Sequence, residues 1–107
     1  MTAELFKSNK KDKKYMLKHD NKTTHFGQAT ARDYTLMNKK GNKHYIADKS
    51  ERDKVRANYR NRHKNDPINK KFSAGSLAYY LLWNKPSLSA SISDYNKRFN
   101  TKIINRT

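Results

Sequence analysis

The run from Phe72 to Asn84 is the longest stretch of this chain without a charged side chain. Everything around it is dense in charge, because 25 Lys and Arg face 9 Asp and Glu, a formal net of +16. A fold must therefore be built on this one apolar segment, with each other element bringing a narrow stripe to it. At 107 residues, length implies one domain with a small core. Seven Tyr, four Phe and one Trp separate the chain from a disordered basic tail, which lacks such aromatics. The uncharged run is too short to span a bilayer. Gly75, Lys85, Pro86 and several Ser interrupt its extension to Ile92, so it reads as buried helices. Met1–Lys14 shows no apolar stretch of the secretory type.

The segment Lys13–Gln28 predicts a β-hairpin. Tyr15 and Leu17 are two apart and share a face, His19-Asp20-Asn21-Lys22 offers turn chemistry, and Thr23, Thr24 and Phe26 suit a return strand that Gly27 ends. A lone hairpin is marginal in water and needs a helix or third strand. Thr30-Ala31-Arg32-Asp33 has the form of a capping box for a short helix that buries Tyr34 and Met37. The patch His44–Ala47 is too short to assign by period.

Ser50-Glu51-Arg52-Asp53 signals a second helix, from about Lys49 to Lys64, stopped by Asn65-Asp66-Pro67. Ser73–Trp83 reads as the core helix, with Leu77, Tyr80, Leu81 and Trp83 inward. Pro86 suits the first turn of a last helix. There Leu88, Ile92, Tyr95 and Phe99 recur at the helical period as a single stripe. Residues 1–12 read as a flexible basic N-terminus, 13–99 as one compact domain, and 100–107 as a polar C-terminal tail in which Ile103-Ile104 is a candidate strand. The expected class is α+β, an N-terminal β-hairpin followed by three to four short helices.

Little in the sequence points to catalysis. The absence of cysteine excludes disulfides, thiolate metal sites and a Cys nucleophile. Asp48, Glu51 and Asp53 are the nearest approach to a carboxylate cluster, and flanking Lys and Arg make them caps and charge partners of a helix. His19, His25, His44 and His63 form no ligand pair at helical spacing; His19 and His25 facing each other across the hairpin would supply two ligands, fewer than a zinc site needs. No glycine-rich phosphate loop or serine elbow is present. No catalytic residue, metal or cofactor is expected.

Binding is the stronger expectation. Arginine is concentrated in the helix 49–64, and guanidinium groups fork onto phosphate or carboxylate oxygens. Lys49, Arg52, Arg56, Arg60, Arg62 and Lys64 are the candidate polyanion-binding set, with Lys49, Arg56, Arg60 and Lys64 on one face and Asn58 and Asn61 between. Tyr79, Tyr80 and Trp83 beside Lys85 have the chemistry of a base-stacking platform, but their apolar setting favours the core. The stripe Leu88-Ile92-Tyr95-Phe99 is likewise a core stripe before it is a docking face.

One resemblance is carried by residues 79–92, Tyr79-Tyr80 followed by LLWNKPSLSASI, and by Asp94 and Arg98-Phe99. This string resembles the tail of small basic proteins of large nucleocytoplasmic DNA viruses. Lys14-Tyr15-Met16, His25-Phe26-Gly27, Asp33-Tyr34-Thr35 and Arg62-His63-Lys64 agree in order, so that the resemblance covers roughly residues 6–99, with Met37–Ser50 as an insertion. It implies a virion-associated protein with no catalytic residues, sited in the virion and, during assembly, inside the host cell. The expected role is a basic structural protein, a minor capsid or core component binding acidic coat or core proteins. The alternative is a protein that coats or condenses double-stranded DNA through phosphate contacts. No membrane span and no small-molecule substrate are expected.

Overall fold

A computed structural model describes residues 2–107. Its centre is a four-stranded mixed sheet of order β3-β2-β1-β4, made of β1 (Thr2–Lys7), β2 (Lys13–His19), β3 (Lys22–Gln28) and β4 (Lys102–Asn105). The helices are α1 (Tyr34–Met37), α2 (Lys49–His63), α3 (Ala74–Leu77), which runs directly into a π-helical turn (Ala78–Leu82), and α4 (Leu88–Phe99). The architecture is α+β. Its radius of gyration, 13.3 Å, is what one compact domain of this length has, about 13 Å. Among the described residues no helix is long and apolar enough to cross a membrane.

The hairpin forms where the turn residues place it. Asp20 and Asn21 both have positive φ, 48° and 61°, the pairing that a tight two-residue turn between right-twisted strands requires. Tyr15 pairs with Phe26 and Leu17 with Thr24. The strand runs one residue past Gly27, to Gln28; Gly27 has φ +78°, and a Cβ there would meet the tip of the Leu82 side chain, Cδ1, at 2.9 Å. The backbone angle is what selects glycine, since the Leu82 tip could shift aside.

The N-terminus departs from the sequence reading, whereas the candidate strand at Ile103-Ile104 is present in the C-terminal tail. Residues 1–12, expected to be flexible, contain β1, a central strand that pairs antiparallel with β2 and parallel with β4. Ala3 and Leu5 alternate into the core at 1% and 0% exposure, which supplies the apolar burial that holds a Lys-rich terminus in place. The tail 100–107 contains β4, with Ile103 buried and Asn100 closing α4 in the left-handed conformation. Arg106 N–H donates to Leu5 O at 2.8 Å, and Arg106 Nε pairs with Glu4 at 3.0 Å. Strand β1 is thus the third strand that the hairpin needed, and β4 the fourth.

The helices cover one face of the sheet. Asp33, not Thr30, caps α1, accepting from Leu36 N; Tyr34 and Met37 are buried as expected. Of the last-helix stripe, Ile92 and Tyr95 are buried and Leu88 and Phe99 pack against the core, so it is a core stripe. Tyr95, fully buried, organises this region. Its hydroxyl shares a hydrogen bond with Ser76 Oγ at 2.8 Å and accepts one from the backbone N–H of Phe72 at 2.9 Å. Phe72 has φ 63°, a conformation that a bulky L-residue adopts only under constraint. Its ring lies against His19 at 4.5 Å and Tyr95 at 6.4 Å.

Leu5→Ala is expected to lower unfolding stability by about 2–5 kcal/mol in denaturant titration; an unchanged midpoint would mean that β1 is not part of the folded sheet. Burial pushes the Tyr95 phenol above its ordinary value of 10.0, against the opposing pull of the Ser76 and Phe72 hydrogen bonds. The unfolded chain therefore loses this proton first. Tyr95's contribution is fully present below about pH 10 and is lost as pH rises through the folded value. In an alkaline titration its phenolate absorbance should appear together with loss of structure rather than before it.

Candidate polyanion interface around the arginine helix

Helix α2 begins at Asp48, whose carboxylate accepts from Ser50 N, and carries Glu51 in its first turn and Arg60, Arg62 and His63 in its last. That distribution matches the helix dipole. No residue of α2 is fully buried; Val55 and Tyr59 only lean on the core. Two apolar contacts are a weak attachment for fifteen residues, and the arginines supply the rest.

Arg56 Nη1 donates to Asn84 O at 2.7 Å. Arg60 Nη1 donates to Trp83 O and to Asn84 Oδ1, each at 3.2 Å. These carbonyls lie just past the π-turn, where a helical segment runs out of its own N–H donors. The same guanidinium groups lie over aromatic rings, Arg56 over Tyr34 at 4.7 Å and Arg60 over Tyr79 at 4.3 Å, a favourable cation–π placement. Arg52 Nη1 donates to the carbonyls of Ile46 and Ala47 at 2.7 and 3.1 Å, fixing the loop before the helix. Lys49 pairs with Asp53 at 2.6 Å, and the other Asp53 oxygen accepts from Tyr34 Oη at 2.6 Å. The Lys49 hydrogen bond, then that of Tyr34, holds the Asp53 carboxyl below the usual carboxylate range.

The candidate set therefore divides. Arg56, Arg60 and Lys64 do come together, along a shallow groove with Tyr79 and Asn61, although Arg56 and Arg60 also hold the fold. Arg62 lines a different hollow, on the other side of α2, a cleft of about 440 Å³ with Lys14, Arg32, Tyr59, His63 and Trp83. Lys49 and Arg52 line neither. The sequence reading missed that Lys14 and Arg32, far from α2 in sequence, reach this cleft. Lys14 is held there by an ion pair with buried Asp33 at 2.6 Å. A Lys in a strand and an Asp that caps a helix carry no joint signal in sequence.

The aromatics are core, not platform. Tyr79, Tyr80 and Trp83 are 8%, 5% and 7% exposed. Tyr59 stacks on Trp83 at 4.2 Å and 7° between planes and meets His63 at 4.2 Å. His19 and His25 do not face each other. His19 pairs in register with Lys22 and His25 with Met16, which puts them on opposite faces of the sheet. Among the described residues no three His, Asp or Glu side chains gather as a metal site would need. No protein-family model, curated protein or solved structure matches the chain.

Arg60→Ala is expected to cost about 1–3 kcal/mol of stability, because it leaves the Trp83 carbonyl region without its donor. Arg62→Ala and Lys64→Ala should stay within about 0.5 kcal/mol. Denaturant midpoints of the three variants check this; equal, small effects would show that Arg60 does not anchor the helix.

Proposed function

We propose that this protein is a non-enzymatic basic structural component, held in place by acidic surfaces that neutralise it from several sides. The observation that carries this reading is how little of the charge is compensated internally. Among the described residues, ion pairs engage only Lys14, Lys49, Arg98 and Arg106 of the 25 Lys and Arg. The remaining cations are dispersed, at the β1–β2 turn (Lys10, Lys11), in the loop after α1 (Lys39, Lys40, Lys43), after α2 (Lys64, Lys70, Lys71) and on α4 (Lys97). Such a body repels itself until partners surround it. A small cementing protein among acidic coat or core subunits fits this dispersal, and the resemblance of residues 79–92 to small basic proteins of large DNA viruses supports a virion setting.

A second reading, contact with nucleic acid, is favoured by the two hollows beside α2, which combine Arg or Lys with Asn and aromatic edges. Free guanidinium and ammonium groups there would meet phosphates and release counterions.

The full chain should be titrated with poly-glutamate and with duplex DNA across salt from about 50 to 200 mM, where several phosphate contacts predict a loss of roughly 10³–10⁵ in DNA affinity. The structural reading expects poly-glutamate binding to survive at salt that removes DNA. The reverse order assigns the charge to nucleic acid, and failure to bind either overturns both readings. Replacing Lys54, Arg62 and Lys64 by Glu together should weaken binding without unfolding the chain, since all three are exposed.

A further inference from the structure

Among the described residues, the sheet contributes its core side chains from one face. Odd-numbered residues of β1 and β2 (Ala3, Leu5, Tyr15, Leu17) and Phe26 and Ile103 belong to or lean on the core. On the other face the register sets Phe6 beside Met16 and Met16 beside His25, and in the next row Ile104, Glu4, Lys18 and Thr23. Phe6, Met16 and Ile104 are half-buried but are not part of the core cluster or packed against it. This face therefore carries a half-buried aromatic ring on a central strand, outside the core cluster, with the Nζ of Lys18 5.2 Å from its centroid. Ser8 Oγ holds His25 by Nδ1 at 2.8 Å, which fixes a second planar ring two strands away.

We infer that this open face is a stacking platform for single-stranded nucleic acid, separate from the hollows beside α2. Antiparallel strands place Phe6 and His25 in one row, with flexible Met16 between them, so that successive unstacked bases have rings to lie on. Base–aromatic stacking of this kind is tolerant of sequence, and single strands are what such surfaces read, because duplex bases are already stacked. Lys18 is placed to exchange its contact with the Phe6 ring for a phosphate, and Lys102 lies exposed on the same face. The one acid in the centre, Glu4, is already neutralised by Arg106. Charge also decides against a second copy of the chain as occupant, since two bodies of +16 repel. An acidic peptide would satisfy the lysines but would leave the row of rings without planar partners.

The inference takes from the polyanion reading only the sign of the charge, and the test keeps the two apart. Anisotropy of a labelled short poly-dT strand and of a duplex of equal length is measured with the wild type, Phe6→Leu, Lys18→Ala and Arg62→Ala. Phe6→Leu keeps an apolar strand residue and removes the ring. It is expected to weaken single-strand binding roughly 5–150-fold, the loss of one stacked base, and to leave the duplex unchanged. Phe6→Trp supplies a direct reporter, as the chain's one Trp, Trp83, is buried; poly-dT should quench the introduced indole and poly-glutamate should not. Single-strand affinity unaltered by Phe6→Leu, or fluorescence of the Phe6→Trp variant that poly-dT leaves unquenched, overturns the platform even if polyanions bind elsewhere. So does self-association in sedimentation that Phe6→Leu abolishes, which would put a second copy on this face. Failure of every polyanion to bind overturns the platform and the wider reading together.

Discussion

The contact between the guanidinium groups of Arg56 and Arg60 and the carbonyls of Trp83 and Asn84 is the constraint on which the rest depends. It solves two problems at once. A helix with no buried residue needs an anchor, and a helical segment ending inside the protein needs donors for its last carbonyls. In the π-turn Tyr79, Tyr80, Leu81 and Leu82 are all buried in succession, so the segment is enclosed on every side. The arginines close its end and lie over Tyr34 and Tyr79. Cations thus complete the core of a chain that has few apolar residues with which to do so.

That arrangement changes how the positive charge is read. Charge on α2 is not one surface. Part of it is internal mortar, in Arg52, Arg56 and Arg60, and part is free, in Lys54, Arg62 and Lys64. Loss of binding on removing Arg56 or Arg60 would confound folding with recognition. The free cations lie scattered over loops and helix ends, and this dispersal is what favours neutralisation from several directions over a single tracked groove. The open face of the sheet is the exception, since its strand register sets apolar, aromatic and basic side chains side by side.

Much of this was legible in the sequence. The Asp20-Asn21 turn, the Tyr34 and Met37 anchors, the span of α2 and the stripe Leu88-Ile92-Tyr95-Phe99 are local patterns, and local patterns specify local structure. The strands at the two ends were not read as the sheet's centre and edge. Thr2–Lys7 alternates over too few residues to stand out beside a Lys-rich flank, and Lys102–Asn105 is four residues long. Their parallel pairing joins opposite ends of the chain, and no local signal carries that. The candidate site was half legible. Arg56, Arg60 and Lys64 share a groove because helical spacing says so, whereas the engagement of Arg56 and Arg60 with backbone carbonyls depends on where residues 83 and 84 end up. Lys14 and Arg32 entered the cleft for the same non-local reason.

The folded chain carries a charge that its own ion pairs leave largely uncompensated, and the proposed role requires a partner to neutralise it. The thermal midpoint of the full chain, followed from low salt to about 0.2 M and then at low salt with added polyanion, tests this most directly. Screening shortens the reach of self-repulsion to about 8–10 Å in this range, and a ligand that binds the folded state stabilises it. The midpoint is expected to rise with salt and to rise again, at low salt, with substoichiometric to equimolar polyanion. A midpoint indifferent to both would mean that the charge is not a strain on the fold and that no neutralising partner is needed.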